Sequence, residues 1–361
     1  MTKIKKVAVI GTQGVPAHYG GFESLVENLI GENCSENVEY TVFCSRKDFQ
    51  KHPKVYKNAK LRYCTFHANG KESVPYDILS MLKSIWHGYD VALILGTSGC
   101  LFIPIFKLFF RGKIIVNIDG MEHRRAKWSG FAKRFLLVSE AMAFRFATTI
   151  IADNKAIADY AVKTYGKTPV VIAYGGDHVF RNLSEDAQKA ILSKYGVEPD
   201  GYAMSVCRIV PENNCHKILE AYAAEGQPLI FVGNWKSCNY AINLRQEYEN
   251  YPNIIFINSE YDLDILYTLR KNAKVYVHGH SAGGTNPSLV EAMHFGKPIC
   301  AYDVVFNRET TKNAAQFFKT INDLRSIIRQ GINPQIGTNL KEIATKEYTW
   351  KKIASMYEDL Y

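Results

Sequence analysis

Short runs of β-branched and apolar residues alternate with longer amphipathic stretches along this 361-residue chain, and the alternation begins afresh halfway. In the first half the strand-like runs are Lys6–Gly11, Val38–Cys44, Leu61–Phe66, Val91–Leu95, Lys113–Ile118 and Thr148–Ala152. In the second half they are Tyr202–Val206, Leu229–Val232, Ile254–Ile257, Val275–His278 and Ile299–Tyr302. Near-continuous apolar strands separated by helices demand parallel sheets covered on both faces. That is the doubly wound α/β class, and here it occurs twice. The length agrees, at roughly 100–200 residues per domain.

The break falls near residues 165–185, where YGKTPVVIAYGGDHVF supplies turn residues before a fresh helix capped by Ser184. The expected domains are residues 1–170 and 171–346. An amphipathic segment at about 347–361 closes the second domain or crosses back to the first. In an open α/β sheet a ligand sits beyond the carboxyl ends of the strands. Two such domains facing each other would place the active site in the cleft between them.

The net charge is +9, and the positive excess sits in the first 170 residues. Such a half attracts an anionic membrane surface, a lipid diphosphate or nucleic acid. Aromatic and basic residues are not interleaved as a nucleic-acid platform requires, so nucleic acid is set aside. The eight cysteines form no C-x-x-C pair, which excludes zinc-ribbon and thioredoxin chemistry. Cys44, Cys207 and Cys300 lie in apolar runs and read as small buried hydrophobes, and a reducing cytoplasm fits. The longest apolar tract, Leu101–Phe110, is interrupted by Pro104 and Lys107 and falls short of the ~20 residues of a spanning helix. It reads first as a core helix between two strands. The second reading is a segment dipping into a bilayer surface, flanked by Lys107, Arg111 and Lys113.

Two loops carry the chemistry. The first strand ends in GTQGVPAHYGGFE, with Gly11, Gly14, Gly20 and Gly21 ahead of Glu23 and a helical pattern. Glycines there let backbone N–H groups approach a phosphate or sugar at a helix N-terminus. The spacing is not the dinucleotide G-x-G-x-x-G, and the second strand ends in Ser45, Arg46 and Lys47 without the acidic residue NAD would need. The second loop lies in VYVHGHSAGGTNPSLVEAMHFGKPICAYDVVFNRE, residues 275–309. A strand runs into Gly283–Gly284, Thr285 and Asn286 are candidate caps, and Pro287 opens a helix. That helix start suits a diphosphate, and Glu291 or Glu309 can accept two ribose hydroxyls.

GGFE, NIDGMEHRRAKW (117–128), CRIVPENN (207–214), FVGNW (231–235), GGTNPSLVEAM, PICAYD and NRE together resemble the retaining glycosyltransferases of family 4. The bacterial surface-polysaccharide branch, which includes rhamnosyltransferases, is the nearest likeness. The resemblance spans nearly the whole chain. It implies the GT-B architecture, two Rossmann-like domains facing across a cleft. The implied reaction moves a hexosyl group from a nucleotide-diphosphate sugar, with dTDP-rhamnose as one donor. The implied acceptor is a lipid-linked saccharide of a capsule, O-antigen or exopolysaccharide. The setting would be cytoplasmic, with peripheral association at the inner membrane. No metal or other cofactor is implied.

Residue by residue, the resemblance puts Gly20 and Gly21 against the donor and Arg208 on its diphosphate. Glu291 would hold the ribose. Gly284, Thr285, Asn286, Pro287, Ser288 and Leu289 would bring backbone to the phosphates. Asp119 and Glu122 would stand beside the reacting sugar. Two positions depart from the family pattern. Gly283 stands where the first of two glutamates is expected, and Asn214 replaces the diphosphate lysine, with Lys217 close by. Two other readings therefore stay open: a sugar-nucleotide epimerase or hydrolase of the same fold, and a non-catalytic partner subunit. Asp262 of D-L-D reads as a helix cap rather than a metal ligand, and His278 and His280 as hydrogen-bonding residues near the donor. His123 and the basic run to Lys127 could meet a pyrophosphate.

Overall fold

The computed structural model describes residues 4–18, 20–31, 35–118, 120 and 130–361. The chain forms two compact units. One takes the chain up to Tyr174 and again from Trp350 to Tyr361; the other is Gly175–Thr349.

The first unit is built on β1 (Lys5–Ile10), β2 (Val38–Ser45), β3 (Val55–Tyr56), β4 (Ala59–Cys64), β5 (Val91–Leu95), β6 (Lys113–Asn117), β7 (Thr149–Ala152) and β8 (Val170–Val171). The sheet order is β3-β4-β2-β1-β5-β6-β7-β8, parallel throughout except for the β3–β4 pair. Helix α1 (Gly20–Leu29) connects β1 to β2 in one direction along the sheet. Helices α2 (Ser73–Ile85), α3 (Ile103–Phe109), α4 (Gly130–Phe146) and α5 (Lys155–Tyr165) make the connections running the other way. Right-handed crossovers therefore lay α2 to α5 side by side on one face and α1 on the opposite face. Val7, Val9, Val42 and Leu93 pack with Leu25, Val26 and Leu29 of α1 in the core.

Helix α3 is not the core helix its composition suggests. Ile103, Phe106 and Phe110 are buried, but Leu101, Ile105, Leu108 and Phe109 form an exposed row. Lys113 begins β6 and donates to the carbonyls of Leu360 and Tyr361, so it does not flank that row as expected.

The second unit contains β9 (Ala203–Val206), β10 (Leu229–Val232), β11 (Ile254–Ile257), β12 (Val275–His278), β13 (Ile299–Tyr302) and β14 (Gln316–Phe318). They form an all-parallel sheet in the order β11-β10-β9-β12-β13-β14. Its helices are α6 (Glu185–Lys194), α7 (Cys215–Glu225), α8 (Asn239–Tyr248), α9 (Leu263–Lys271), α10 (Pro287–His294), α11 (Val305–Thr310), α12 (Ile321–Gln330) and α13 (Gln335–Glu347). Side-chain oxygens satisfy the N–H groups left over at several helix starts. Ser184 caps α6, and Asp262 caps α9 by accepting from the amides of Asp264 and Ile265. Thr320 and Asp323 form a reciprocal capping box on α12.

The last helix, α14 (Trp350–Glu358), returns to the first unit beside α1. Trp350, Ile353 and Tyr357 are buried in that unit's core, and Asn117 Nδ2 donates to Tyr357 Oη at 2.7 Å. Among the described residues no helix is long and apolar enough to cross a membrane.

Candidate functional site

Each sheet has one place where the connections diverge in opposite directions: between β1 and β5, and between β9 and β12. The loops leaving such a strand pair part to either side and open a crevice at the carboxyl ends. The candidate residues fall in two groups, one at each crevice.

In the first unit the loop after β1 is fixed by backbone geometry and one carboxylate. Gly11 has φ +92°, and a Cβ there would lie 2.2 Å from the Leu95 carbonyl oxygen, so only glycine fits. Glu23, on the first turn of α1, reaches back to this loop. Its Oε1 accepts from Thr12 Oγ1 at 2.9 Å and from the Gln13 amide at 2.8 Å. Burial pushes the Glu23 carboxyl above its ordinary pKa, against the opposing effect of these hydrogen bonds. Gly20 opens α1 at φ +84°, and a Cβ there would crowd Glu23 Oε2 at 2.7 Å. Glu23 is thus the brace of the glycine loop. Asp119 and Glu122, and the basic run from His123, lie outside the described residues.

In the second unit the loops after β9 and β12 are zipped together. Asn213 Oδ1 meets His280 Nδ1 at 2.6 Å, and Asn214 Nδ2 donates to the Gly279 carbonyl at 2.8 Å. The Ser281 hydroxyl and amide both donate to the Glu212 carbonyl. Asn214 sits at φ 49°, in the left-handed region that asparagine tolerates better than most side chains. Its carboxamide is committed to the neighbouring loop, which accounts for the asparagine at the expected lysine position. Lys217 does not substitute. Its ammonium lies 4.7 Å from the Tyr302 ring centroid and donates to the Lys319 carbonyl. Gly283 has φ +117°, a conformation in which a glutamate would be strained. Arg208, just beyond β9, is exposed and its guanidinium has no partner among the described residues.

The start of α10 distributes its N–H groups differently from the expectation. Asn286 is the N-cap, and its Oδ1 accepts from the Ser288 amide at 3.0 Å and the Ser288 hydroxyl at 2.7 Å. The Leu289 amide donates to the Asn286 carbonyl, and Pro287 has no N–H. The amides of Ser288 and Leu289 are therefore occupied. Those of Gly283, Gly284 and Asn286 donate to nothing among the described residues. An N–H without an acceptor at a helix start can donate to an anion, so these three are the groups a diphosphate would meet. Replacing Asn286 with alanine should cost about 1 kcal/mol of stability, measured by urea unfolding. No loss would mean that Asn286 does not cap α10.

Behind this turn lies a buried charge pair. Arg270 of α9 donates through Nη2 to Glu291 Oε2 of α10, and the side chains are 6% and 14% exposed. His178 Nε2 stands 3.6 Å from Glu291 Oε1, and burial holds the His178 pKa below its ordinary value. Arg270 Nε is buried with no hydrogen-bond partner among the described residues. The same holds for His278 Nε2, at the end of β12, whose ring stacks on Tyr276. Burial keeps His278 neutral, its pKa well below the usual histidine range. The structure thus gathers Arg208, 283–286 and Glu291 at one crevice. It adds Arg270 and His178, which no sequence spacing signals because each is long-range in the chain.

Solved structures share this fold. Sucrose-phosphate synthase from Thermosynechococcus elongatus superposes with a TM-score of 0.82 at 16% identity, over 99% of this chain and 98% of that one. Anabaena HepE, solved in complex with UDP-glucose, gives 0.75 at 16% identity over 99% of both chains. A glycosyltransferase from Rickettsia africae gives 0.75 at 12% identity over 100% and 98%. The architecture is GT-B, with two Rossmann-like α/β units. Residues 187–329 match the domain family "Glycosyl transferases group 1", and residues 4–177 match "Domain of unknown function (DUF1972)". No curated protein sequence matches the chain. The fold is therefore GT-B, and residues 187–329 carry a domain of the group 1 glycosyl transferases.

Proposed function

We propose that the chain is a retaining glycosyltransferase of family 4 that moves a hexosyl group from a nucleotide-diphosphate sugar to a saccharide acceptor. The observation that carries this reading is the Glu291 carboxylate, fixed by Arg270 at the β9/β12 crevice, with Arg208, which has no partner among the described residues, at the same strand ends. Glu291 then takes the donor ribose hydroxyls. Arg208 and the amides of Gly283, Gly284 and Asn286 neutralise the diphosphate as it departs. In a retaining transfer the leaving phosphate accepts the proton of the attacking hydroxyl on the same face of the sugar. In this reading Gly20 and Gly21 border the transferred sugar, and the resemblance assigns its remaining polar contacts to Asp119 and Glu122.

HepE was solved with UDP-glucose, which supports a sugar nucleotide as the donor class. Within that class the motifs from GGFE to NRE favour a surface-polysaccharide enzyme, with dTDP-rhamnose as the first donor to try. The acceptor in this reading is a lipid-linked saccharide of a capsule or O-antigen, so transfer runs at the cytoplasmic face of a membrane.

The test is a thermal-shift panel of UDP, dTDP, UDP-glucose and dTDP-rhamnose on wild type and Glu291→Gln. Glutamine keeps an acceptor for Arg270, and a cooperative melt of the variant without ligand establishes that it folds. A ligand at ~100 times its dissociation constant stabilises by ~2.7 kcal/mol. Stabilisation by one nucleotide, lost in the variant, is the expected result. Donor consumption without an acceptor would replace transfer by hydrolysis or epimerisation. No stabilisation by any nucleotide would overturn the donor site and favour the non-catalytic subunit.

A further inference from the structure

We infer that the outer surface of α2, α3 and α4 is a docking surface for an anionic lipid bilayer. These three helices lie side by side on one face of the first sheet, α3 touching both of its neighbours. Each turns large apolar side chains outward. On α2 and just beyond it Leu82 and Trp86 are one turn apart, and Trp86 is 82% exposed. On α3 and the turn before it the exposed row is Leu101, Ile105, Leu108 and Phe109, with Leu108 at 79%. On α4 Phe131 is 86% exposed, and Val138 follows it two turns along the same stripe. A contiguous exposed apolar surface of this extent marks a binding face.

Charge selects the occupant. Segments 73–86, 100–111 and 130–146 contain two carboxylates, Asp77 and Glu140, and both are buried. The exposed charges are all positive: Arg111, Lys133, Arg134, Arg145 and Lys107, whose ammonium donates to the Phe146 carbonyl at the end of α4. Arg134 and Arg145 lie on the same α4 stripe as Phe131 and Val138. A second copy of the chain would press like charges against each other, which protein interfaces avoid. A nucleic acid would leave Trp86, Leu108 and Phe131 without apolar partners. Apolar side chains among basic ones match the boundary between acyl chains and anionic headgroups, where such a surface settles ~5–10 Å deep. The surface is composite. It does not coincide with the single tract Leu101–Lys113, since Lys113 is tied to the Leu360 and Tyr361 carbonyls.

This inference stands apart from the transfer reaction, and its test uses neither donor nor acceptor. The full chain is floated with vesicles of phosphatidylcholine alone or enriched in phosphatidylglycerol. Binding should require the anionic lipid and weaken as salt rises. Leu108→Ser with Phe109→Ser should weaken binding by about tenfold or more at every salt concentration. Arg134→Glu with Arg145→Glu should abolish the preference for phosphatidylglycerol. Val55→Ser, which alters an exposed apolar residue on β3, should bind as wild type does. Near-wild-type melting of each variant establishes that it folds. No flotation with anionic vesicles, or flotation indifferent to both paired variants, overturns the inference. So does a dimer in solution that Leu108→Ser dissolves while vesicle binding is absent.

Discussion

Replacing Arg270 with methionine should destabilise the second unit by about 3–5 kcal/mol, because Glu291 would be left buried without its cation. The pair is well removed from water, with side-chain exposures of 6% and 14%. A surface ion pair would be worth far less. Changing both residues to methionine should recover most of the loss, since an apolar pair of similar volume removes the desolvation penalty along with the attraction. Urea unfolding of the two single variants and the double variant closes the cycle. If the single changes add in the double variant, the two residues are not coupled. A second readout is pH. The His178 pKa is held down first by burial and further by the Arg270 charge, while Glu291 draws it up. Without Arg270 the His178 pKa rises, and its imidazolium can partner Glu291. The defect of Arg270→Met should therefore shrink at about pH 5.5.

Asp77 should make the first unit lose stability as the pH rises from about 4 to about 7. Its carboxyl is fully buried on α2, and burial pushes its pKa up to about 7 despite hydrogen bonds from the Ser98 hydroxyl and the Gly99 amide. In the unfolded chain an aspartate titrates at about 3.9. Between these values the folded state holds a proton that the unfolded state has released, so stability falls with increasing pH. The contribution is fully present below about pH 4 and lost above about pH 7, a swing on the order of 4 kcal/mol. Asp77→Asn keeps an acceptor for Ser98 and cannot ionise. Stability measured at several pH values should show a flatter slope in the variant between about pH 4 and pH 7, and greater stability than wild type at about pH 8. An unchanged slope would mean that Asp77 is ionised in the folded protein at neutral pH.

The sheets were largely legible in the sequence because strands buried on both faces are unbroken apolar runs. Val91–Leu95, Leu229–Val232, Ile254–Ile257, Val275–His278 and Ile299–Tyr302 are strands with those same bounds. β3, β8 and β14 left no trace in the sequence, being edge strands of two or three residues with no room for periodicity. The α3 tract misled because its two faces are equally apolar, and a pattern without polarity cannot tell inside from outside. At the site, Asn286 and Pro287 announced a helix start by their chemistry. Gly283 and Asn214 could be seen as departures, but their reason lies in backbone angles that no spacing encodes. Cys207, expected to be buried, lies just past β9 and is half-exposed. The Arg270–Glu291 pair joins residues 21 apart on different helices, so only the folded chain shows it.

The return of α14 to the first unit also orders the protein's birth on the ribosome. Chains emerge N-terminus first, and domains ordinarily fold in that sequence. Here β1 to β8 leave the exit tunnel early but lack Trp350, Ile353 and Tyr357, which belong to their core. The whole of Gly175–Thr349 is available before those residues are made. The half synthesised first is thus the half completed last. Until α14 arrives, the face it will cover stays open to chaperones and to neighbouring nascent chains.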